Sequence, residues 1–114
     1  MKWPKPSQIS GRSIRVWQRN FSIYRQNWKI SFVPPLLERA GAGFGDIDFF
    51  ELNEAFAAVL GGAFHDLPDL PVERTNQWGS GISLGHPVGC TGARQLVDMI
   101  HQLKRRGGSV GVAD

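Results

Sequence analysis

Apolar positions repeat with different periods along this chain, and each change of period marks an element. From Ile14 they fall at Ile14, Trp17, Phe21, Tyr24 and Trp28. Steps of three and four put such residues on one face of a helix. Arg12, Arg15, Arg19 and Arg25 lie mostly off that stripe, so the spacing predicts a basic amphipathic helix. Pro34 and Pro35 suit the first turn of a second helix, because a missing N–H costs nothing there. Leu36, Leu37 and Ala40 continue it, and Gly41 or Gly43 ends it. Asp46 to Leu52 brings Ile47, Phe49, Phe50 and Leu52 together in a short, largely buried strand. Asn53 has the side chain of a helix cap, and Glu54 to Leu60 reads as the helix it would cap. His65 to Glu73 reads as a surface loop, and Val72 to Thr75 as a short extended piece. Ala93, Leu96, Val97, Ile100 and Leu103 are spaced as a helix. Lys104, Arg105 and Arg106 followed by Gly107 and Gly108 form its stop signal. Ser109 to Ala113 begins a strand. Helices alternate with strands, which defines an α/β class with no internal repeat.

Charge divides the chain in two. Lys2, Lys5, Arg12, Arg15, Arg19, Arg25 and Lys29 occupy residues 1–30, while all ten acidic residues follow. The net charge of +3 is therefore the sum of a basic arm and a mildly acidic domain, and not the footprint of a nucleic-acid-binding fold. Three readings of the arm stay open: a segment packed on the domain or poorly ordered, a transit peptide, or a surface for membrane or nucleic acid. The 114 residues suffice for one small domain with a modest core. No apolar run approaches the roughly 20 residues of a membrane span, and no secretory signal is visible. A single cysteine, Cys90, excludes an internal disulfide and fits a reducing compartment. With one cysteine and three histidines, a structural zinc site is not expected. No Walker or dinucleotide fingerprint is present.

The stretch from Asn76 to Arg94 is the candidate site. Gly79, Gly81, Gly85, Gly89 and Gly92 concentrate backbone freedom there, and His86 is held between Gly85 and Pro87. Asn53 and His86 would each sit just past a strand or at the head of a helix, where sites of open α/β sheets gather. An imidazole N–H and a carboxamide N–H can both donate to a carbonyl oxygen that is gaining charge. A helix cap at Asn53 and a structural turn at His86 are the bland alternatives.

Gly85-His86-Pro87 with Gly89-Cys90-Thr91-Gly92-Ala93-Arg94 resembles the GHP signature of the thiolases, and Asn53-Glu54-Ala55-Phe56 their NEAF signature. The two stand in order at a fitting separation, Asp46-Ile47-Asp48 precedes the NEAF stretch, and the resemblance runs from about Phe32 to Ala113. It implies a partial thiolase-like C-terminal half-domain, with helices packed on a mixed sheet over residues 31–114, behind an arm of unassigned role at 1–30. It implies acyl transfer on acyl-CoA or 3-ketoacyl-CoA thioesters, by thiolytic cleavage or Claisen condensation. Coenzyme A is then a substrate, and no cofactor is tightly bound. By motif, His86 contributes to an oxyanion hole, and Asn53 holds the water that completes it. The family's nucleophilic cysteine belongs to an N-terminal half outside this resemblance. Its acid/base cysteine lies in a Cys-x-Gly motif beyond the strand near Ser109, which this sequence stops short of. A fragment inactive by itself is therefore expected, with a homo-oligomer or the N-terminal half as partner. A non-catalytic acyl-CoA- or lipid-binding module, or one subunit of a split enzyme, stays open as the alternative. The expected location is the cytoplasm, or else the mitochondrial matrix.

Other chemistry-bearing residues have plainer readings. Cys90 reads as structural, since the family's catalytic cysteines map elsewhere. Glu54 suits the positive end of a helix. His65 and His101 read as ordinary surface, and Lys104 to Arg106 as a solvated helix end that could otherwise meet CoA phosphates. Trp78-Gly79-Ser80-Gly81 stands where the family usually carries Asn-Gly-Gly-Ala, so Trp78 is expected to disturb the loop that sets His86.

Overall fold

A computed structural model describes residues 15–18 and 32–114. Three parallel strands form its sheet: β1 (Arg15–Gln18), β2 (Phe49–Glu51) and β3 (Val110–Ala113). Their order is β1-β3-β2, so the strand latest in sequence lies in the middle. Gly111 stands opposite Val16 on one side and Phe49 on the other.

Among the described residues four α-helices accompany the sheet: α1 (Val33–Ala40), α2 (Ala57–Asp66), the short α3 (Gly81–Leu84) and α4 (Thr91–Arg106). Pro34 and Pro35 fall in the first turn of α1, and Gly41 closes it at φ 65°. Gly107 closes α4 at φ 74°, behind three basic residues in the last turn. Cations at that end oppose the partial negative charge of the unpaired carbonyls.

Alternation along the strands sorts the layers. Phe50, Leu52, Val110 and Val112 face a core completed by Val33 and Leu37 of α1, Ala63 of α2, and Ile47, Leu67 and Leu70. Phe44 stacks on Phe50 with ring centroids 5.9 Å apart. On the other face Phe49 packs with Met99 and Leu103 of α4. A Cβ on Gly111 would fall 2.2 Å from the Met99 sulfur, so a larger residue there would require the Met99 side chain to move. The result is a helix–sheet–helix sandwich.

Several expectations are corrected. Arg15 to Gln18 form a strand and not a helix, because β3 offers a row of backbone partners that outweighs the helical spacing of the apolar residues. The rest of the segment expected as a helix lies outside the described residues. The described strand pairs are all parallel, where a mixed sheet was expected. Asn53 does not cap α2. That helix begins at Ala57 behind Phe56, which makes no side-chain cap. The Asn53 N–H is already spent on the Asp114 carboxylate at 2.6 Å, which holds the chain extended beyond β2. Glu54 accordingly lies before the helix. His65 and Asp66 belong to α2, and the loop after it buries Leu67 and Leu70. Val72–Arg74 is one 3-10 turn, after which Thr75 bridges to Phe50.

Candidate functional site

Asn53 lies two residues past β2, and Asp114 follows β3, so both stand at the carboxyl end of the parallel sheet. Helix α4 runs back along the sheet from this end. Gln95 donates to Asp114 at 2.7 Å and to the Glu51 carbonyl at 3.3 Å, while Leu103 lies beside Gly108, just before β3. The first turn of α4, with Thr91, therefore stands beside the same edge as Asn53.

The loop that bears Asn53 is pinned from three directions. Asn76 receives the Leu52 N–H at 2.8 Å and donates to the Leu52 carbonyl at 2.9 Å and to Glu54 at 3.0 Å. To make these bonds Asn76 adopts φ 49°, a left-handed conformation that asparagine tolerates better than most residues. Ser80, fully buried, donates to the Leu52 carbonyl at 3.0 Å and accepts from Arg94 at 3.2 Å. The second Glu54 oxygen accepts the Ile82 N–H at 3.2 Å. Glu54 is thus a clamp between Asn76 and α3, and not a helix-dipole residue.

The Asn53 carboxamide rests on Gly81. A Cβ there would lie 3.2 Å from Asn53 Oδ1 and 2.7 Å from the Glu54 carbonyl oxygen. Oδ1 is buried with no hydrogen-bond donor among the described residues. Helix α3 opens with Gly81 and ends at Gly85, whose φ of 100° turns the chain into His86. His86 is exposed, and its Nδ1 lies 2.7 Å from Thr91 Oγ1. The Asn53 and His86 loops are joined through Gly81 and the Glu54–Ile82 bond, although no hydrogen bond links the two side chains among the described residues. Trp78 is half-buried, and Gly79 at φ 85° makes the turn before α3.

Beneath this edge lies a buried ionic cluster. Glu51 is completely buried, and one of its carboxylate oxygens has no hydrogen bond among the described residues. Burial pushes its carboxyl up to about 7, against the pull of Arg94; Asp98 and Glu54 push the same way as burial, and Gln102 opposes. Arg94 Nη1 stands 3.7 Å from Glu51 but only 2.8 Å from Asp98. That geometry suits a neutral Glu51. Burial likewise raises Asp114, offset in part by the bonds from Gln95 and the Asn53 N–H.

The other candidates stand apart. Cys90 is exposed at the cap of α4, with its N–H on the Pro87 carbonyl at 2.6 Å. Among the described residues His65 pairs only with Asp66, and His101 is exposed. Arg106 lies over the Phe49 ring at 5.4 Å, at the far end of α4 from Thr91, so Lys104 to Arg106 do not join the site. Among the described residues no group of three His, Cys, Asp or Glu could hold a metal ion, and no helix is long and apolar enough to cross a membrane. Sequence reasoning singled out the stretch from Asn76 to Arg94 but gave Asn76, Ser80 and Arg94 no role of their own, and it missed Gln95 and Asp114. Gln95 and Gln102 share the buried face of α4 with Met99 and Leu103, a face that the apolar spacing of Ala93, Leu96, Val97 and Ile100 does not mark.

A parallel sheet whose carboxyl edge gathers an NEAF loop and a GHP turn defines the class. The chain belongs to the thiolase family: residues 29–114 match the family described as thiolase, C-terminal domain. It is 49% identical over 75 residues to the peroxisomal 3-ketoacyl-CoA thiolase B of Mus musculus, covering 66% of this chain and 18% of that protein. It is 44% identical over 81 residues to acetyl-CoA acetyltransferase IA of Candida tropicalis, covering 71% and 20%. The solved acetyl-CoA acetyltransferase of Syntrophomonas wolfei superposes with a TM-score of 0.70 at 43% identity, over 74% of this chain and 22% of that one. The human mitochondrial 3-ketoacyl-CoA thiolase in complex with CoA superposes at 0.67 with 40% identity, over 71% and 20%. The chain thus spans about a fifth of the length of these relatives.

Proposed function

We propose that this chain supplies the oxyanion-stabilising part of a thiolase-class acyltransferase acting on acyl-CoA or 3-ketoacyl-CoA thioesters, in thiolytic cleavage or its reverse, Claisen condensation. His86 donates through Nε2 to the thioester oxygen as charge develops on it, and Asn53 donates its carboxamide N–H through a water. The observation that carries this reading is the linkage of the two loops through Gly81 and Glu54 at one edge of the sheet. Donors fixed before the reaction need no reorganisation when charge appears, and losing one typically costs about 2.7–4 kcal/mol of transition-state stabilisation.

Phe56, Ile82, Leu84 and Val88 are exposed around this edge. Apolar side chains grouped at a polar site favour completion by further thiolase sequence or by a second copy. That completing part would bring the nucleophilic cysteine, since Cys90 sits exposed at a helix cap with no base bonded to it among the described residues. A family match that begins at residue 29 supports a domain boundary near residue 31, with 1–30 as an arm whose residues 15–18 pair with β3. The single cysteine fits the reducing conditions of the cytoplasm or mitochondrial matrix.

The 114-residue chain is expected to show little or no turnover of acetoacetyl-CoA with CoA. It is expected to bind acetoacetyl-CoA in titration calorimetry, more weakly after His86→Ala or Asn53→Ala. Binding that neither substitution alters would end the proposal. Turnover that survives Cys90→Ala but disappears in His86→Ala would show instead that the chain carries its own chemistry.

A further inference from the structure

We propose that Thr91 is a positioning residue, whose hydroxyl donates to His86 Nδ1 and so holds the imidazole in the tautomer with its proton on Nε2. Thr91 is buried at the first position of α4, and its Oγ1 lies 2.7 Å from His86 Nδ1 and 3.1 Å from the Pro87 carbonyl. A hydroxyl has one proton to give. If it goes to Pro87, the Thr91 oxygen must accept from Nδ1–H, and a neutral His86 is left with only a lone pair at Nε2. If it goes to His86, Nδ1 is the acceptor and Nε2 carries the donor proton. The shorter contact is the one to His86. The Thr91 N–H already bonds the same Pro87 carbonyl at 2.9 Å, and the Cys90 N–H bonds it at 2.6 Å. That acceptor is therefore satisfied without the hydroxyl.

Which ring nitrogen bears the proton is set by the bond made at the other one. A fixed tautomer has catalytic meaning only under the reading of His86 as an oxyanion donor, on which this inference rests for its consequence. The tautomer itself does not depend on that reading, so the two can fail separately. The test is long-range nitrogen–proton correlation spectroscopy of the full 114-residue chain labelled with nitrogen-15, which reads the tautomer from the pattern of ring cross-peaks. The His86 pattern is expected to show the Nε2–H form alone in the wild-type chain and in Thr91→Ser, and a mixture of both forms in Thr91→Val. A wild-type chain in the Nδ1–H form, or a Thr91→Val pattern identical to wild type, overturns the proposal. The wild-type spectrum decides by itself if Thr91→Val does not fold. In parallel, acetoacetyl-CoA binding that is absent in every variant while the tautomer behaves as expected would count against the acyl-transfer reading and leave the role of Thr91 standing.

Discussion

On one face of the sheet, Phe50, Leu52, Val110 and Val112 meet α1 and α2 through carbon alone. On the other, Glu51 meets Arg94 and Gln102, Gln95 reaches the strand backbone, and among the described residues the buried apolar contact comes from Phe49, Met99 and Leu103. Phe50 and Glu51 are neighbours in sequence and equally buried, yet they serve opposite ends. Apolar burial is non-directional, and stabilises wherever volumes match. A buried polar cluster is costly unless its bonds are made, and it fixes positions when they are. The apolar face holds the domain together, and the polar face holds the Asn53 loop in place.

Four substitutions probe that difference. Phe50→Ala, on the apolar face, is expected to lower stability by about 3–5 kcal/mol, with the same loss at pH 5 and pH 8 in denaturant titrations. The polar face should respond to pH instead. Glu51 ordinarily ionises near 4.5 and is raised to about 7 when folded. Between those values the unfolded chain releases a proton that the folded chain keeps, so stability falls as pH rises through that window. Asp114 is also raised, and acts in the same direction. Glu51→Gln, which mimics the protonated acid, should be nearly neutral at pH 4.5. At pH 8 it should be stabilising by up to about 3 kcal/mol, visible as a flatter plot of melting temperature against pH. An unchanged slope would remove Glu51 from the account.

Smaller effects are expected at the joints between loops. Asn76→Ala strands the buried Leu52 N–H and should cost about 1–3 kcal/mol in a thermal melt, with altered amide shifts at Asn53. Gly81→Ala would push a methyl group against the Glu54 carbonyl, and should cost about 1–3 kcal/mol.

Much of the fold was legible because local signals and tertiary packing agreed. Pro34 and Pro35 open α1, Gly41 closes it, and the basic turn before Gly107 ends α4 where the sequence placed it. Arg15 to Gln18 were misread because their apolar spacing fits a helix, while the partner that makes them a strand lies some ninety residues away. Asn53 was misread as a cap for a related reason. Its N–H is claimed by Asp114, a bond between distant residues that no window of sequence shows. The GHP and NEAF patterns pointed to His86 and Asn53 as short strings. The network beneath them did not, because Asn76, Ser80, Arg94 and Gln95 acquire meaning only once the loops meet. Ser80 is instructive: it stands where the resemblance implies glycine, and its hydroxyl bridges Arg94 and the Leu52 carbonyl.

The strand order β1-β3-β2 has a consequence for how the molecule comes into being. During synthesis β1 and β2 leave the ribosome before β3, the strand that bridges them among the described residues. Phe49 and Phe50 must wait, unsheltered, while nearly sixty further residues are added. These three strands therefore cannot pair until Val110 to Ala113 are made, and nascent chains that stall earlier leave β1 and β2 unpaired, open to chaperones and to aggregation.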